Sequence, residues 1–488
     1  MPKRTDYTIS LGGKNGWGGL CPSYFDNAYP FYGNKNQASE TIDVDLSDPN
    51  VLTQGPGITA LTGGIQTGEL GSVLITGILK HAVTSGVTYA CGADKVFRLT
   101  PTAVTNANFP KTISAGTANV STSLVYYKSK TYIFWNDTGV DGDIGLLTND
   151  TTWDHDWGST VPTDKANIED APHYGIVGGD DVMAFTNGMY VGTYNGTTLT
   201  PHDLDFFTDS ETSSITWNGN RYKIAVNRPN ISGSNFNQSA VYTWNGISSS
   251  WEGDPIEVNG EIGALYTKNG ITYIWWKDGT SLGGYNFGYI NGSVTKSIRR
   301  YKGSLPNQNQ VGEHEGLITW VTDNKVYKWG ARDEQTEVKM FHYCSGKDTT
   351  IGAIAAPFGD LLVSSNLTTA YSLGKISGYS IDARYKTIAM PISGPEFESY
   401  IDNIIVDFEP LSTGAKCDFN LVYNKGASTQ ALTQIAYAAA DASTRKKILD
   451  KSYKLEDFRL DVSWKNGSTT NPFKIRNIFI KVHTITSN

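Results

Sequence analysis

Three acidic residues, Asp137, Asp141 and Asp143, follow one another closely enough to suggest a cation-binding loop. Calcium loops place several oxygen ligands around a sharp glycine turn, and a glycine does stand at the sixth position of this segment. However, Gly139 and Thr148 occupy two positions at which such loops supply ligands. We therefore predict a hairpin turn here, with a calcium site as the alternative.

Two other polar runs combine carboxylates with an imidazole. Residues 153–157 read Trp-Asp-His-Asp-Trp, which suggests a metal site or a sugar site with stacked indoles. In a strand, however, Asp154 and Asp156 would share one face while His155 pointed to the other. The same objection applies to residues 313–315, Glu-His-Glu. We predict polar connecting loops at both places.

Motifs that would identify an enzyme are absent from the sequence. It contains no Gly-x-Ser-x-Gly elbow, no P-loop and no Gly-x-Gly-x-x-Gly between a strand and a helix. The Asp-box turn typical of sialidase blades is also missing, and no carboxylate pair is marked out as a glycosidase pair. We predict that the protein is not an enzyme and needs no cofactor.

The elements that would position these residues form a repeat. Short aromatic or β-branched runs meet a Gly, Asn or Asp turn and are followed by a second such run, in residues 88–98, 131–147, 182–194, 222–244, 271–290, 317–329 and 361–373. The interval of roughly 40–50 residues is that of a four-stranded propeller blade. Asn187-Gly188 is the clearest turn, because type I′ turns need φ > 0 at both central positions. The sequence predicts an all-β fold with a β-propeller of about seven blades over residues 61–376.

Residues 1–60 differ from the repeats and predict an extended, irregular N-terminal arm with short strands. An arm of this kind has little means of burying itself, so we expect it to lie across its own ring or a neighbouring subunit. Its aromatic residues are the candidate assembly contacts: Trp17, Tyr24, Phe25, Tyr29, Phe31 and Tyr32.

After about Ser377 the repeat stops, and residues 377–488 predict a C-terminal β-sandwich or jelly roll. Strands are expected in residues 386–390, 401–408, 417–423, 458–464 and 474–483. In the last of these, Ile478, Ile480 and Val482 should share one face. Residues 433–449 predict a short helix or a long loop.

Composition narrows the functional class. The formal net charge is −8 over 488 residues and no long basic run occurs, so a dedicated nucleic-acid binder is disfavoured. The 4 cysteines are far apart and predict buried thiols rather than a disulfide framework. No apolar stretch reaches the length of a signal peptide core or a membrane span, which predicts a soluble protein made in the cytoplasm.

The layout resembles the tail hub or nozzle proteins of short-tailed bacteriophages. The resemblance includes the arm ending near Gln54-Gly55-Pro56-Gly57-Ile58, the crossing out of the propeller at residues 373–381, and the closing strand at 473–485. It implies a structural virion protein that forms a homo-oligomeric ring around the DNA channel of the tail. It also implies contacts with portal or adaptor proteins and with tail fibre or tailspike proteins, transient passage of phage DNA during ejection, and no membrane insertion.

Two alternatives remain open. One is a receptor- or glycan-binding propeller of a tail tip, using Trp153, Trp275 and Trp276 as stacking surfaces. The other is a secreted glycoside-active propeller enzyme, for which a signal peptide and an acidic cluster in the central channel would be expected.

Overall fold

The computed structural model describes most of the chain. The described residues are 4–12, 17, 38–42, 44–45, 50–65, 67–84, 86–113, 119–137, 142–157, 167–179, 181–228, 239–277, 283–323, 325–330, 339–344, 348–367, 370–380, 383–391, 397–423, 426–438, 445–465 and 468–486. Within these ranges the chain consists mainly of β-strands, and the only helical element that is described in full is a 3₁₀ turn at Gln308–Gln310. Among them, no helix has the length and apolar character needed to cross a membrane.

The chain forms two compact units. One consists of Met1–Thr59, Lys325–Gly346 and Ile376–Asn488, and the other of Ala60–Asn324 and Lys347–Lys375. The N-terminal segment therefore belongs to the same unit as the C-terminal region. We expected it to form a separate arm.

Five strands precede the repeats: β1 (Arg4–Gly12), β2 (Ala38–Ile42), β3 (Val44–Asp45), β4 (Leu52–Gln54) and β5 (Gly57–Ile65).

Seven antiparallel sheets follow in chain order. The first contains β6 (Gly77–Ile78), β7 (Thr88–Gly92), β8 (Lys95–Leu99), β9 (Val104–Thr105) and β10 (Lys111–Thr112). The second contains β11 (Asn119–Tyr127), β12 (Lys130–Asp137), β13 (Gly142–Leu147) and β14 (Trp153–Asp154). The third contains β15 (Gly175–Val177), β16 (Met183–Asn187), β17 (Tyr190–Tyr194) and β18 (Leu199–Asp205). The fourth contains β19 (Glu211–Trp217), β20 (Tyr222–Asn227), β21 (Ser239–Trp244) and β22 (Ile256–Val258).

The remaining three sheets also follow one another in chain order. The fifth contains β23 (Glu261–Lys268), β24 (Ile271–Lys277), β25 (Tyr285–Asn291) and β26 (Val294–Tyr301). The sixth contains β27 (Val311–His314), β28 (Leu317–Thr322), β29 (Lys325–Gly330) and β30 (Lys339–Cys344). The seventh contains β31 (Asp348–Ala355), β32 (Leu362–Leu367) and β33 (Ala370–Ser377), and β5 is its fourth strand.

These sheets form a β-propeller. The first strand of each sheet contacts the first strand of the next, and β31 of the seventh sheet contacts β6 of the first, which closes the ring. Each predicted repeat corresponds to the second and third strands of one sheet. The ring closes with a strand, β5, that comes from before the first sheet in the sequence.

Local turn chemistry explains why the repeats were recognisable. Gly188 has φ +62° in the tight turn between β16 and β17, a value that glycine adopts without steric cost. After β17, the side-chain oxygen of Asn195 accepts hydrogen bonds from the backbone N–H groups of Thr197 and Thr198 at 2.9 and 2.8 Å. Asn245 makes the corresponding turn after β21. These asparagines stabilise the turn that leads into the fourth strand.

The core of the propeller lies between neighbouring sheets. Between the second and third sheets, Phe134 and Phe185 are fully buried with ring centroids 5.0 Å apart. Trp320 of the sixth sheet is also fully buried, and its indole nitrogen donates to the Tyr285 hydroxyl at 2.8 Å. Fully burying one such side chain stabilises the fold by about 1.5–3 kcal/mol.

The last ten strands are β34 (Arg384–Thr387), β35 (Met390–Pro391), β36 (Phe397–Phe408), β37 (Lys416–Tyr423), β38 (Ser428–Ala431), β39 (Ile435–Ala436), β40 (Arg445–Leu449), β41 (Tyr453–Lys454), β42 (Asp457–Ser463) and β43 (Lys474–Thr486). Four of the five expected strands are present, and the one expected at residues 386–390 is divided between β34 and β35. The alternative of a helix at residues 433–449 was wrong for the described part of that segment, which forms β39 and β40.

Two seven-stranded sheets make up this β-sandwich. One has the order β3-β4-β43-β36-β40, with β1 paired to β43 and β41 to β36. The other has the order β2-β34-β42-β37-β38, with β35 paired to β42 and β39 to β37. Ile478, Ile480 and Val482 are buried as the alternation predicted. The strands of the N-terminal segment are thus integral members of the two sheets. Strands β1 and β4 pair with β43, β2 pairs with β34, and β3 pairs with β4.

Candidate functional site

A short segment before β27 lies against the innermost strands of the propeller. The side-chain nitrogen of Asn309 donates to the backbone carbonyls of Thr76 at 2.8 Å and Thr122 at 2.5 Å. Gln310 donates to the carbonyl of Ile351 at 2.8 Å, and Gln308 accepts a hydrogen bond from the Ser214 hydroxyl. We call residues Gln308–Gln310 the channel turn, because they bond to the first, second, fourth and seventh sheets around the ring.

A cavity of ≈ 290 Å³ opens beside the channel turn. Its walls come from the first three sheets and from the turn itself. The lining residues are Ile78, Leu79, Lys80, His81, Ser123, Leu124, Val125, Tyr126, Tyr174, Gly175, Ile176, Val177, Gln308 and Asn309. The walls combine apolar side chains with polar groups in similar proportion. We call this cavity the central pocket.

Lys80 is the only basic residue other than histidine in this lining. Its side chain is accessible to solvent, yet protein surrounds it closely enough that desolvation lowers the pKa of Lys80 to about 8. The ammonium lies 5.4 Å from the centroid of the Tyr266 ring, and it makes no ion pair with the described residues.

Two neutral donors complete the polar lining. The Tyr174 hydroxyl has no hydrogen-bond partner among the described residues, and desolvation raises the pKa of this phenol, so it remains an O–H donor at neutral pH. Gln308 is 7 % exposed, and its carboxamide oxygen is used by Ser214. The only hydrogen bond of its carboxamide to the described chain is this one, so its NH₂ group is available to donate.

No carboxylate lines the pocket, but Glu211 lies near enough to Tyr174 for its charge to add to desolvation in raising the pKa of that phenol. Desolvation lowers the pKa of His81, and its ring contacts Tyr126 edge-on at 5.7 Å between centroids. Glu313, beyond Tyr266, is paired with Lys268 at 3.1 Å. The lining residues include no carboxylate.

A second buried titratable group, His173, lies outside the pocket. Its ring nitrogens face the backbone carbonyls of Thr186 at 2.8 Å and Glu169 at 3.1 Å. Desolvation outweighs these carbonyls and lowers the pKa of His173. A neutral imidazole can donate to only one of the two carbonyls. This arrangement ties the connection before β15 to β16.

The segment with three acidic residues forms the predicted hairpin, because β12 pairs with β13 from Thr131 to Asn136. Asp141 lies outside the described residues, as does the side chain of Asp137, which ends β12. Asp143 is buried, and its Oδ1 accepts the backbone N–H of Ile144 at 2.7 Å. One carboxylate oxygen of the suggested calcium site is thus engaged within its own strand.

Both polar runs lie partly in strands, β14 and β27, where loops were predicted, and both are held by hydrogen bonds or ion pairs. Asp154 accepts the N–H of Asp156 at 3.2 Å, and His155 lies 3.5 Å from Asp156. Trp157 is buried against Tyr132. In the other run, Glu313 pairs with Lys268 as described, and His314 is buried.

A further cluster could in principle hold a cation. Asp6, Asp402 and His483 bring their ligand atoms within 4.8 Å of one another in the sandwich. Arg4, however, lies 2.7 Å from Asp6 and 3.3 Å from Asp402, so the site already contains a cation. Ser452 donates to Asp402 rather than to His483, so the three do not form a nucleophilic triad. The cluster is an ion-pair network that joins β1 to β36 and β43.

The tryptophans suggested for glycan stacking are not surface residues. Trp275 is fully buried and Trp276 is 8 % exposed, since both pack between sheets of the propeller. Trp153 is half-buried, lies over Gly145 and donates to the carbonyl of Thr112 at 3.0 Å. The alternative of stacking surfaces at Trp275 and Trp276 is therefore excluded, because these aromatic side chains fill the spaces between blades.

Of the proposed assembly contacts, only Trp17 lies in the described residues; Tyr24, Phe25, Tyr29, Phe31 and Tyr32 lie outside them. Trp17 is 1 % exposed, packs edge-on against Tyr385 at 5.6 Å and donates to the carbonyl of Arg476 at 3.2 Å. Its ring is therefore covered within the chain, and the contact with a second subunit stays a prediction.

Comparison with known proteins yields structural similarity only. No protein family and no curated protein matched the sequence. Among solved structures, the extracellular domain of a candidate one-component system from B. thetaiotaomicron is similar at 13 % identity and a TM-score of 0.44, over 73 % of this chain and 43 % of that one. Drosophila Semaphorin 1a, extracellular domains 1–2, is similar at 11 % identity and a TM-score of 0.40, over 66 % and 88 % of the two chains.

An exo-β-1,3-galactanase from Phanerochaete chrysosporium is similar at 9 % identity and a TM-score of 0.33, over 86 % of this chain and 96 % of that one. The chain spans less than half of the first of these proteins. Similarity at this level assigns neither a family nor an activity to the chain.

Proposed function

We propose that this protein is a structural component of a bacteriophage tail, a subunit of the hub or nozzle, and that it acts by contact rather than by catalysis. The observation that carries the proposal is the sandwich to which both ends of the chain contribute. Strand β1 pairs along its whole length with β43, from Arg4↔Ile485 to Gly12↔Asn477. A propeller followed by a β-sandwich is the part of the layout by which the sequence resembles the hub proteins.

The absence of a catalytic constellation in the described residues supports a contact role. The Ser452–Asp402–His483 group lacks the bond from a nucleophile to a base. Asp154 in one polar run accepts a hydrogen bond from its own run, and Glu313 in the other is paired with Lys268 of the neighbouring sheet. A glycoside-active enzyme would need two carboxyl groups flanking a substrate, and the central pocket offers none.

The position of the channel turn limits the path that DNA could take through the protein. Asn309 joins the first two sheets at the centre of the propeller, which leaves the propeller's own axis occupied by side chains. Double-stranded DNA would therefore pass through a ring of several copies and not through one propeller. The mild net charge of −8 suits such a wall, because a surface that repels phosphate lets DNA slide without sticking.

The proposal predicts self-assembly. Full-length protein should form a closed ring of defined copy number by native mass spectrometry and negative-stain electron microscopy, alone or with a portal or adaptor protein. It should also be found by mass spectrometry in purified particles, and portal or terminase genes should lie beside its gene. A protein that stays monomeric with every tail partner and is missing from particles would refute the proposal.

A receptor-binding tail protein is the second candidate, and the central pocket is the observation that favours it. Trp275 and Trp276 cannot serve that role because they are buried. Any small ligand of the propeller would therefore be recognised elsewhere.

A further inference from the structure

The central pocket holds a set of donors without a matching acceptor. Lys80, Tyr174 and Gln308 all line it, and each carries an N–H or O–H group with no acceptor among the described residues. Donor groups that line a cavity without an acceptor from the protein are satisfied by water or by a ligand. The pocket is thus ready to receive acceptor oxygens.

The charge of the lining narrows the class of ligand. One ammonium group is present, and no carboxylate or arginine lines the cavity. A cationic ligand would find no counter-ion. A phosphate dianion would be poorly matched, because phosphate sites usually combine arginine or several backbone N–H groups. A single lysine with two neutral donors fits one carboxylate accompanied by hydroxyl groups.

The size and shape of the central pocket restrict the class of ligand further. A cavity of ≈ 290 Å³ lies at the lower end of the range of small-molecule sites, so it suits a single small ring rather than an extended chain. Ile78, Leu124, Val125 and Ile176 supply apolar wall against which the C–H face of a ring can pack. The channel turn closes one side of the cavity through Gln308 and Asn309.

From these observations we propose that the central pocket binds an acidic monosaccharide of the hexuronic acid type, with Lys80 pairing with the carboxylate and Tyr174 and Gln308 donating to its oxygens. The inference is independent of the tail role, since a hub subunit and an unrelated propeller could both carry such a pocket. A ligand here would contact three sheets and the channel turn at once.

The test uses full-length protein and two sugars of nearly equal shape, galacturonate and galactose. By calorimetry or saturation-transfer NMR, galacturonate should bind with a Kd near 1 mM, which is the affinity that ordinary ligand efficiency gives for about 13 heavy atoms. Galactose, which lacks the carboxylate, should bind at least about tenfold more weakly. Equal binding of the two sugars, or binding of neither, would overturn the proposal.

Variants locate the site. Lys80→Met should reduce galacturonate binding at least about tenfold, and Tyr174→Phe about two- to tenfold through loss of one donor. Lys296→Met is the matched control, because Lys296 is exposed on the outer strand β26, and it should bind as the wild type does. Melting temperature and circular dichroism check that each variant is folded. If Lys80→Met were misfolded, Tyr174→Phe alone would decide, and unchanged galacturonate binding in it would reject the site.

Discussion

Replacing Asn309 with alanine should destabilise the propeller by about 2 kcal/mol. The side-chain nitrogen of Asn309 donates to the carbonyls of Thr76 and Thr122 at 2.8 and 2.5 Å, just before β6 and within β11. Each hydrogen bond contributes about 1 kcal/mol net, and the truncation removes both. Water in the adjoining pocket can reach the released carbonyls, so the loss should stay near this sum and not approach the full penalty of buried, unpaired acceptors.

Thermal unfolding of the full-length protein provides the assay. A loss of 2 kcal/mol lowers the melting temperature of a domain of this size by about 4 °C. Asn309→Asp should lower the melting temperature more than Asn309→Ala does, because aspartate keeps the shape of asparagine but turns a carboxylate oxygen toward the two carbonyls.

Asn220→Ala is the matched control, since Asn220 is exposed and its side chain has no hydrogen bond to the described chain. We expect it to change stability by less than about 0.5 kcal/mol. A melting temperature of Asn309→Ala equal to that of Asn220→Ala would refute the idea that the channel turn links the sheets.

Three further outcomes are expected. Gly192→Ala should cost about 1–3 kcal/mol in a urea titration, because its Cβ would overlap the buried Phe185 ring, whereas Gly312→Ala, where a Cβ meets open space, should be nearly neutral. The Cys91 thiol should resist iodoacetamide at pH 8 in the native protein but not in urea, as mapped by mass spectrometry, because burial raises the pKa of Cys91 to about 12. Because the pKa of His173 is lowered in the folded protein, the unfolded chain binds a proton at a higher pH than the folded chain does. The contribution of His173 to the free energy of unfolding is therefore fully present above about pH 6.5, and it falls by up to about 1.4 kcal/mol per pH unit below that pH. Denaturant titrations from pH 7.5 to 5.5 should show this slope, and His173→Gln should flatten it; an unchanged slope would contradict the assignment.

The strands that sequence predicts best are those whose signals are local. In the first and third sheets, the second and third strands are joined by two-residue turns, such as Gly188-Met189, where glycine supplies the positive φ. The two-residue strand β6 gives no periodic signal, and its place in the first sheet depends on pairing with β7. Strand β1 pairs with the far end of the chain, which no local pattern can reveal.

The sequence did not predict the central pocket, because no local pattern marks its lining residues. Lys80 follows β6 as a lone lysine after Leu79, with no motif around it. Tyr174 and Gln308 come from distant parts of the sequence and meet only once the ring has closed. A lone charged residue after an apolar strand was the single signal available, and it is too common to be decisive. Conversely, the acidic residues around Asp143 suggested a cation site because they lie close together in the sequence. In a strand, however, neighbouring residues point to opposite faces.

The closure of the ring has a consequence for how the protein is made. Strand β5 leaves the ribosome before all seven sheets, yet its partner β33 is among the last strands of the propeller to emerge. Until then β5 has an unpaired edge, and the first and seventh sheets have no contact with each other. Pairing of such sequence-distant strands is slow. We therefore expect nascent chains that stop before residue 370 to remain open and prone to pair with one another, so that emergence of β33 is the step that commits the molecule to a closed ring.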